Sequence, residues 1–133
     1  MHDDRKIGIP PDHFVDNSIV FPLSEELPSG AWHVTPIMKE LHRRGVDGRG
    51  VTVAVNDTAG EADHPFLPKQ LAGRIFTGEG SPRDGNGHGT HCMGLVISVA
   101  PKAQLICAKV LSNGGSGSTP GINAGRVWAA QQG

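Results

Sequence analysis

The densest cluster of reactive side chains is Asp84-Gly85-Asn86-Gly87-His88-Gly89-Thr90-His91. Three glycines surround His88, and glycine lets a backbone pass close to other groups or take positive φ. A ring held at such a loop-to-helix junction faces a cleft and is free to move protons. Imidazole is the usual general base near neutral pH, provided an acid partner fixes its tautomer. Asp57 follows the run Val51-Thr52-Val53-Ala54-Val55 by two positions. In open α/β sheets functional groups gather at the carboxyl ends of strands. An acid placed there must be hydrogen-bonded or paired, because a lone buried carboxylate is costly. Asp57-Thr58 would serve equally as a turn or cap.

Other readings of these residues stay open at this level. His88 and His91 are three apart and would share a metal with Asp84, but there is no His-Glu-x-x-His frame and no Cys pair nearby. No metal and no cofactor is expected. Cys92 reads as a small buried apolar residue on a helix rather than a nucleophile. Gly78-Glu79-Gly80-Ser81-Pro82-Arg83 is glycine-rich but lacks the Gly-Lys-Ser/Thr ending of a phosphate loop.

The elements that must position these groups follow from pattern. Thr35 is a cap and Pro36 suits a first helical position. Ile37, Met38 and Leu41 form a stripe, and Gly45 stops the helix after Arg43-Arg44, a solvated basic end. Asp47-Gly48-Arg49-Gly50 is a turn, and Val51–Val55 has the β-branched character of a buried strand. A second helix is expected from near His88 through Val96, broken by Val99-Ala100-Pro101. Gln104–Leu111 reads as another buried strand, and Ile122–Gln132 as a third helix with Trp128 inward. Strand, helix, strand, helix argues for a parallel α/β sheet. Two strands leave such a sheet unfinished, which points to part of a larger domain. Residues 1–30 are Pro-rich and irregular, with one possible strand at Ser18–Phe21. They read as an extended N-terminal arm laid over a core, with a propeptide remnant or a disordered lead-in as alternatives. The expected division is therefore an arm and helix over 1–45 and a catalytic-domain portion over 46–133.

Composition narrows the partners. The 133 residues include 19 Gly and 10 Pro, so turns are frequent. Twelve Lys+Arg against 13 Asp+Glu give a net charge of −1, spread without a basic arm, which removes the usual footprint of nucleic-acid binding. No apolar run approaches the ~20 residues of a membrane helix, so no membrane partner is expected. No leader follows Met1-His2-Asp3-Asp4-Arg5-Lys6, and Cys92 and Cys107 make no disulfide framework. A reduced, cytoplasmic setting is the default expectation.

In order and spacing, several segments resemble the N-terminal part of the subtilisin-like serine proteases, the subtilases or peptidase S8 family. They are Val53-Ala54-Val55-Asn56-Asp57-Thr58, His64-Pro65, Gly87-His88-Gly89-Thr90-His91-Cys92, Val99-Ala100-Pro101-Lys102-Ala103, and Lys109-Val110-Leu111 with Gly115-Ser116-Gly117. The likeness covers roughly residues 45–130. It implies an α/β, parallel-sheet subtilisin-like fold, here incomplete, and a serine endopeptidase acting on peptide or protein substrates. Members order their triad Asp, His, Ser along the chain. The matching positions are Asp57, which would orient the imidazole, and His88, which would take the serine proton. Gly115-Ser116-Gly117 matches the edge where family members pair a substrate as an added strand; small side chains there leave backbone groups open to a partner. Cys92 stands where proteinase K-like and other thiol-dependent members have cysteine.

The departures from the family pattern carry expectations of their own. The nucleophile segment of the Gly-Thr-Ser-Met-Ala type and the oxyanion-hole Asn lie downstream in the family, and neither is present here. Ser81, Ser98, Ser112, Ser116 and Ser118 have no such frame. Ala59 stands for Gly, Asn56 for an apolar residue, Met93 for a small Ala, and Phe66 for Asp. The short Gly94–Val99 stretch leaves no room for an inserted calcium loop, so no calcium site is expected there. If Asp57 and His88 pair, a carboxylate oxygen should lie roughly 2.6–3.2 Å from His88 Nδ1. His91 should pack inward and not converge with His88. The remainder of the same catalytic domain is a possible partner. The alternative to an enzyme is a non-catalytic remnant or peptide-binding fragment.

Overall fold

Gln104-Leu105-Ile106-Cys107-Ala108-Lys109 is the hydrophobic spine around which the rest assembles. In the computed structural model, which describes residues 35–67 and 72–133, this run is the central strand of a three-stranded parallel sheet. In chain order the elements are α1 (Pro36–Arg43), β1 (Thr52–Asp57), β2 (Ala72–Ile75), α2 (His88–Val99), β3 (Gln104–Lys109) and α3 (Thr119–Gln131). The sheet order is β1-β3-β2. β3 is buried from Leu105 to Lys109 because both of its edges are paired and both of its faces are covered. The expected extended arm and the Ser18–Phe21 strand lie outside the described residues.

The two faces hold separate cores. Val55, Ala59, Met93, Leu105 and Cys107 form the layer under α2, with Val53, Cys92 and Val96 against it. Ile106, Ala108, Val110 and Trp128 form the layer under α3, with Phe76 packing on Trp128 at 6.0 Å between ring centroids. The inward Trp128 agrees with the sequence. α3 comes close to β3 because Gly125 has no side chain: a Cβ there would lie 2.3 Å from Val110 Cγ1.

The structure corrects several boundaries. β1 starts at Thr52 and includes Asp57, so the acid is the last strand residue. Val51, which precedes the strand, and Ala54, on the face opposite Val53 and Val55, are exposed rather than buried, since β1 is an edge of the described sheet. β2 was not expected; its four residues are too few to show a pattern. α3 begins at Thr119, not Ile122, because Ser118 Oγ accepts the Gly121 N–H and Pro120 sits in the first turn. α2 runs on to Val99. α1 is capped by Thr35 and ends at Gly45, φ +83°, as its sequence indicates. Its Ile37, Met38 and Leu41 stripe is not buried among the described residues. Arg43 and Arg44 both pair with Glu40 in solvent, a contact worth little. No helix among the described residues is long and apolar enough to cross a membrane.

Candidate active site

Asp57 closes β1 and His88 opens α2, so two ordinary element ends bring together side chains 31 positions apart. His88 Nδ1 lies 2.8 Å from Asp57 Oδ1 and 3.0 Å from Oδ2, inside the range expected for a pair. Facing an ionised carboxylate, Nδ1 must carry the proton, which leaves the lone pair on Nε2. Asp57 is anchored a second time, because its Oδ1 accepts the Thr58 N–H at 2.7 Å. The carboxylate is mostly enclosed while the imidazole is 63% exposed. An enclosed acid beside an open imidazole suits proton transfer to and from a molecule that meets the exposed ring.

The loop that presents His88 is organised by Asp84. Gly87, at φ +92°, is the formal cap residue of α2 and has no side chain with which to cap. Asp84 supplies that function from three residues upstream. Its Oδ1 accepts from the Gly87 N–H at 2.8 Å, the Asn86 N–H at 3.2 Å and the Thr58 hydroxyl at 2.8 Å. Its Oδ2 accepts from the Thr90 N–H at 2.8 Å and from the Thr90 hydroxyl. Burial alone would raise the Asp84 pKa. The hydrogen bonds from Thr90, Gly87 and Thr58 outweigh it and bring the value down to about 2. The Thr58 hydroxyl in turn accepts the Gly89 N–H at 3.0 Å, tying the residue after Asp57 to the residue after His88. The sequence offers Asp84 only as a metal ligand; its distance from the formal cap hides the capping role.

Ala59 completes the turn after Asp57 at φ +124°, a conformation natural to glycine. Its carbonyl faces Gly89 so closely that a Cβ on Gly89 would sit 1.9 Å from the oxygen. The glycine beside His88 is thus required by this approach.

His91 is exposed, contrary to the inward packing expected of it. Gly89 and Met93 occupy the buried face of α2, and His91 is two residues from each, roughly opposite on the helix. Asp84, His88 and His91 are not the group the structure gathers. Asp57, His88 and Cys92 are, with ligand atoms within 4.8 Å of one another. Cys92 is half-buried rather than buried, and its Sγ lies 3.7 Å from His88 Nδ1. A carboxylate, an imidazole and a thiolate suit a soft divalent ion. Here, however, Nδ1 is already engaged by Asp57. Burial, with the charges of Asp57 and Asp84, also pushes the Cys92 thiol up and keeps it protonated. The same causes hold Cys107 at about 12.

Gly115-Ser116-Gly117 is exposed, lies near Asn86 of the His88 loop, and is partly folded on itself. The Ser112 N–H donates to the Ser116 carbonyl at 2.7 Å, and Gly115 turns at φ +82°. Asn113 links this loop to the His88 loop, accepting from the Gly85 N–H on Oδ1 at 3.1 Å and from Asn86 Nδ2 on its carbonyl at 2.9 Å. The sequence did not single out Asn113 or Glu79, whose carboxylate accepts the Asn113 N–H.

A model of the Subtilase family matches residues 48–133. The chain is similar to Subtilisin Savinase of Lederbergia lenta, 45% identical over 101 residues, which cover 69% of this chain and 37% of that protein. It is likewise similar to an alkaline protease of Alkalihalobacillus alcalophilus, 45% identical over 101 residues, 69% of this chain and 26% of the relative. Thermitase of Thermoactinomyces vulgaris is 36% identical over 99 residues, 65% of this chain and 36% of the relative. The matched part of the chain thus spans well under half the length of these relatives.

Proposed function

Because the chain belongs to the subtilase family, we propose that it supplies the acid–base half of a serine endopeptidase. The observation that carries this reading is the contact of His88 Nδ1 with Asp57 at 2.8 Å and 3.0 Å. His88 Nε2 takes the proton of a serine hydroxyl as that oxygen attacks the scissile carbonyl. It then returns the proton to the leaving amine. Asp57 holds the tautomer and stabilises the imidazolium. Backbone groups of Gly115-Ser116-Gly117 receive the peptide as an added strand. The loop already uses the Ser116 carbonyl and the Gly115 and Ser116 N–H groups in bonds to Ser112, so the remaining backbone groups of Gly115 and Gly117 carry that pairing.

The attacking serine lies in the remainder of the catalytic domain. Triad members act as a unit, and in subtilisin itself loss of the nucleophile costs on the order of 10⁶-fold, a magnitude borrowed from that enzyme. Residues 1–133 alone are therefore expected to give no measurable peptidase turnover and no labelling by a serine-directed phosphonate. A longer chain carrying a Gly-Thr-Ser segment should show both, and His88→Ala should abolish its turnover. Robust labelling of a serine within residues 1–133 would overturn this assignment, as would full turnover in the His88→Ala form.

A further inference from the structure

Lys109 is the last residue of β3, is 2% exposed, and stands directly across from Asp57 in the β1–β3 register. An ammonium so enclosed is costly unless every donor finds an acceptor. Here all three do. Nζ donates to the Thr58 carbonyl at 3.0 Å, the Arg83 carbonyl at 2.8 Å and Asn113 Oδ1 at 2.7 Å, and Glu79 Oε2 lies 3.2 Å away as its counter-charge. Each acceptor belongs to a different segment of the candidate site. Thr58 follows Asp57. Arg83 precedes Asp84, which caps the helix that carries His88. Asn113 holds Gly85 and Asn86 and leads into Gly115-Ser116-Gly117.

We infer that Lys109 is a positioning residue: one buried ammonium clamps the Asp57 turn, the His88 loop and the Gly115–Gly117 loop in mutual register. The inference deepens the proposed function and rests on it. Lysine suits the task because its three donors radiate from one point, whereas the planar fork of arginine would address two acceptors side by side. The geometry matters because displacement of a reacting group by about 1 Å is enough to cost about 10²-fold in rate. Neither Asp57 nor His88 touches Nζ in this arrangement; Lys109 acts on them through the backbone.

The test is proton NMR of the full chain, reading the low-field resonance and hydrogen exchange of His88 Nδ1–H. Asp57→Asn should abolish the resonance. Its persistence would refute the Asp57–His88 pairing itself, whatever Lys109 does. Lys109→Met should accelerate exchange of that proton by about tenfold or more, as expected when a hydrogen bond's worth of restraint is lost. The Trp128 indole signal reports whether the fold is kept. Ile106→Ala, in the opposite core layer, is the control for mere loss of stability and should leave the resonance in place. An unchanged resonance in folded Lys109→Met, or an equal change in Ile106→Ala, overturns the inference. Should Lys109→Met not fold, the exposed Asn113→Ala replaces it. It removes one arm of the clamp and should accelerate exchange several-fold, and no change there overturns the inference as well.

Discussion

At the scale of single residues, the turn after Asp57 carries strain that the neighbouring hydrogen bonds hold in place. Ala59 sits at φ +124° and is 2% exposed, so its methyl group is fixed where the backbone favours glycine. A non-glycine residue in such a region costs about 1–3 kcal/mol, while glycine loses about 0.5–1 kcal/mol more chain entropy on folding. The balance favours glycine. Ala59→Gly is expected to stabilise the protein by about 1 kcal/mol, read from the urea midpoint; a lower midpoint would show that the methyl's packing against Met93 and Val55 outweighs the strain. The sequence points to this position, since the family pattern has Gly there. It does not point to Lys109, although a lone charge inside the apolar run Leu105–Val110 is itself a signal that something must receive it. Asp57 and His88 are legible because their motifs are local. The ligands of Lys109 come from three loops, and only folding brings them to one point.

At the scale of elements, the sequence reveals what repeats within a few residues and conceals what depends on a neighbour. α1, α2 and β3 are readable from caps, breakers and a continuous apolar run. β2 gains its identity from pairing with β3 through Ala72↔Ile106 to Ile75↔Lys109, a relation that four residues cannot announce. β1 reads as buried but stands at the edge of the described sheet. The seating of α3 depends on one missing side chain. A methyl on Gly125 would meet Val110 Cγ1 at 2.3 Å and Ala108 Cβ at 3.4 Å. Gly125→Ala should therefore destabilise by about 1–3 kcal/mol through overpacking. Near-UV circular dichroism should report the disturbed Trp128. Adding Val110→Ala opens the space that the new methyl needs, so the double variant should lose clearly less than the sum of the two singles. Strict additivity in that cycle would locate the cost somewhere other than the Gly125–Val110 contact.

At the scale of the whole molecule, two aspartates sit where segments meet that the sheet alone does not hold: Asp47 bridges through its backbone carbonyl while its carboxylate fixes the local turn, and Asp84 bridges through an ionised carboxylate. Asp47 lies between α1 and β1. Its side chain takes two hydrogen bonds from the Arg49 guanidinium, at 3.1 Å and 2.8 Å, and its carbonyl accepts the Lys102 N–H at 2.8 Å. Hydrogen bonding from Arg49 outweighs burial and, with the nearby charges of Arg49 and Lys102, holds the Asp47 pKa at about 2. Asp84 joins α2 to the turn after β1 and is held at about 2 as well, with burial opposing the stronger sum of its hydrogen bonds. In the unfolded chain both acids return to the ordinary carboxylate value near 4. The folded state therefore binds fewer protons than the unfolded state between those limits. The stabilisation is fully present above about pH 4 and drains away as pH falls through about 2. For Asp84 the shift corresponds to about 1–2 kcal/mol after allowance for solvent screening at a partly exposed group. Asp84→Asn removes the charge and replaces one of the two acceptor oxygens at the α2 cap by a donor, so at pH 7 it should lower stability by about that amount. The gap between wild type and variant should then narrow between pH 4 and pH 2, because the wild-type carboxyl becomes neutral too. Urea unfolding at pH 7, 5, 3 and 2 measures it. A gap that stayed constant down to pH 2 would mean that the Asp84 charge contributes nothing, and that shape alone holds the loop presenting His88.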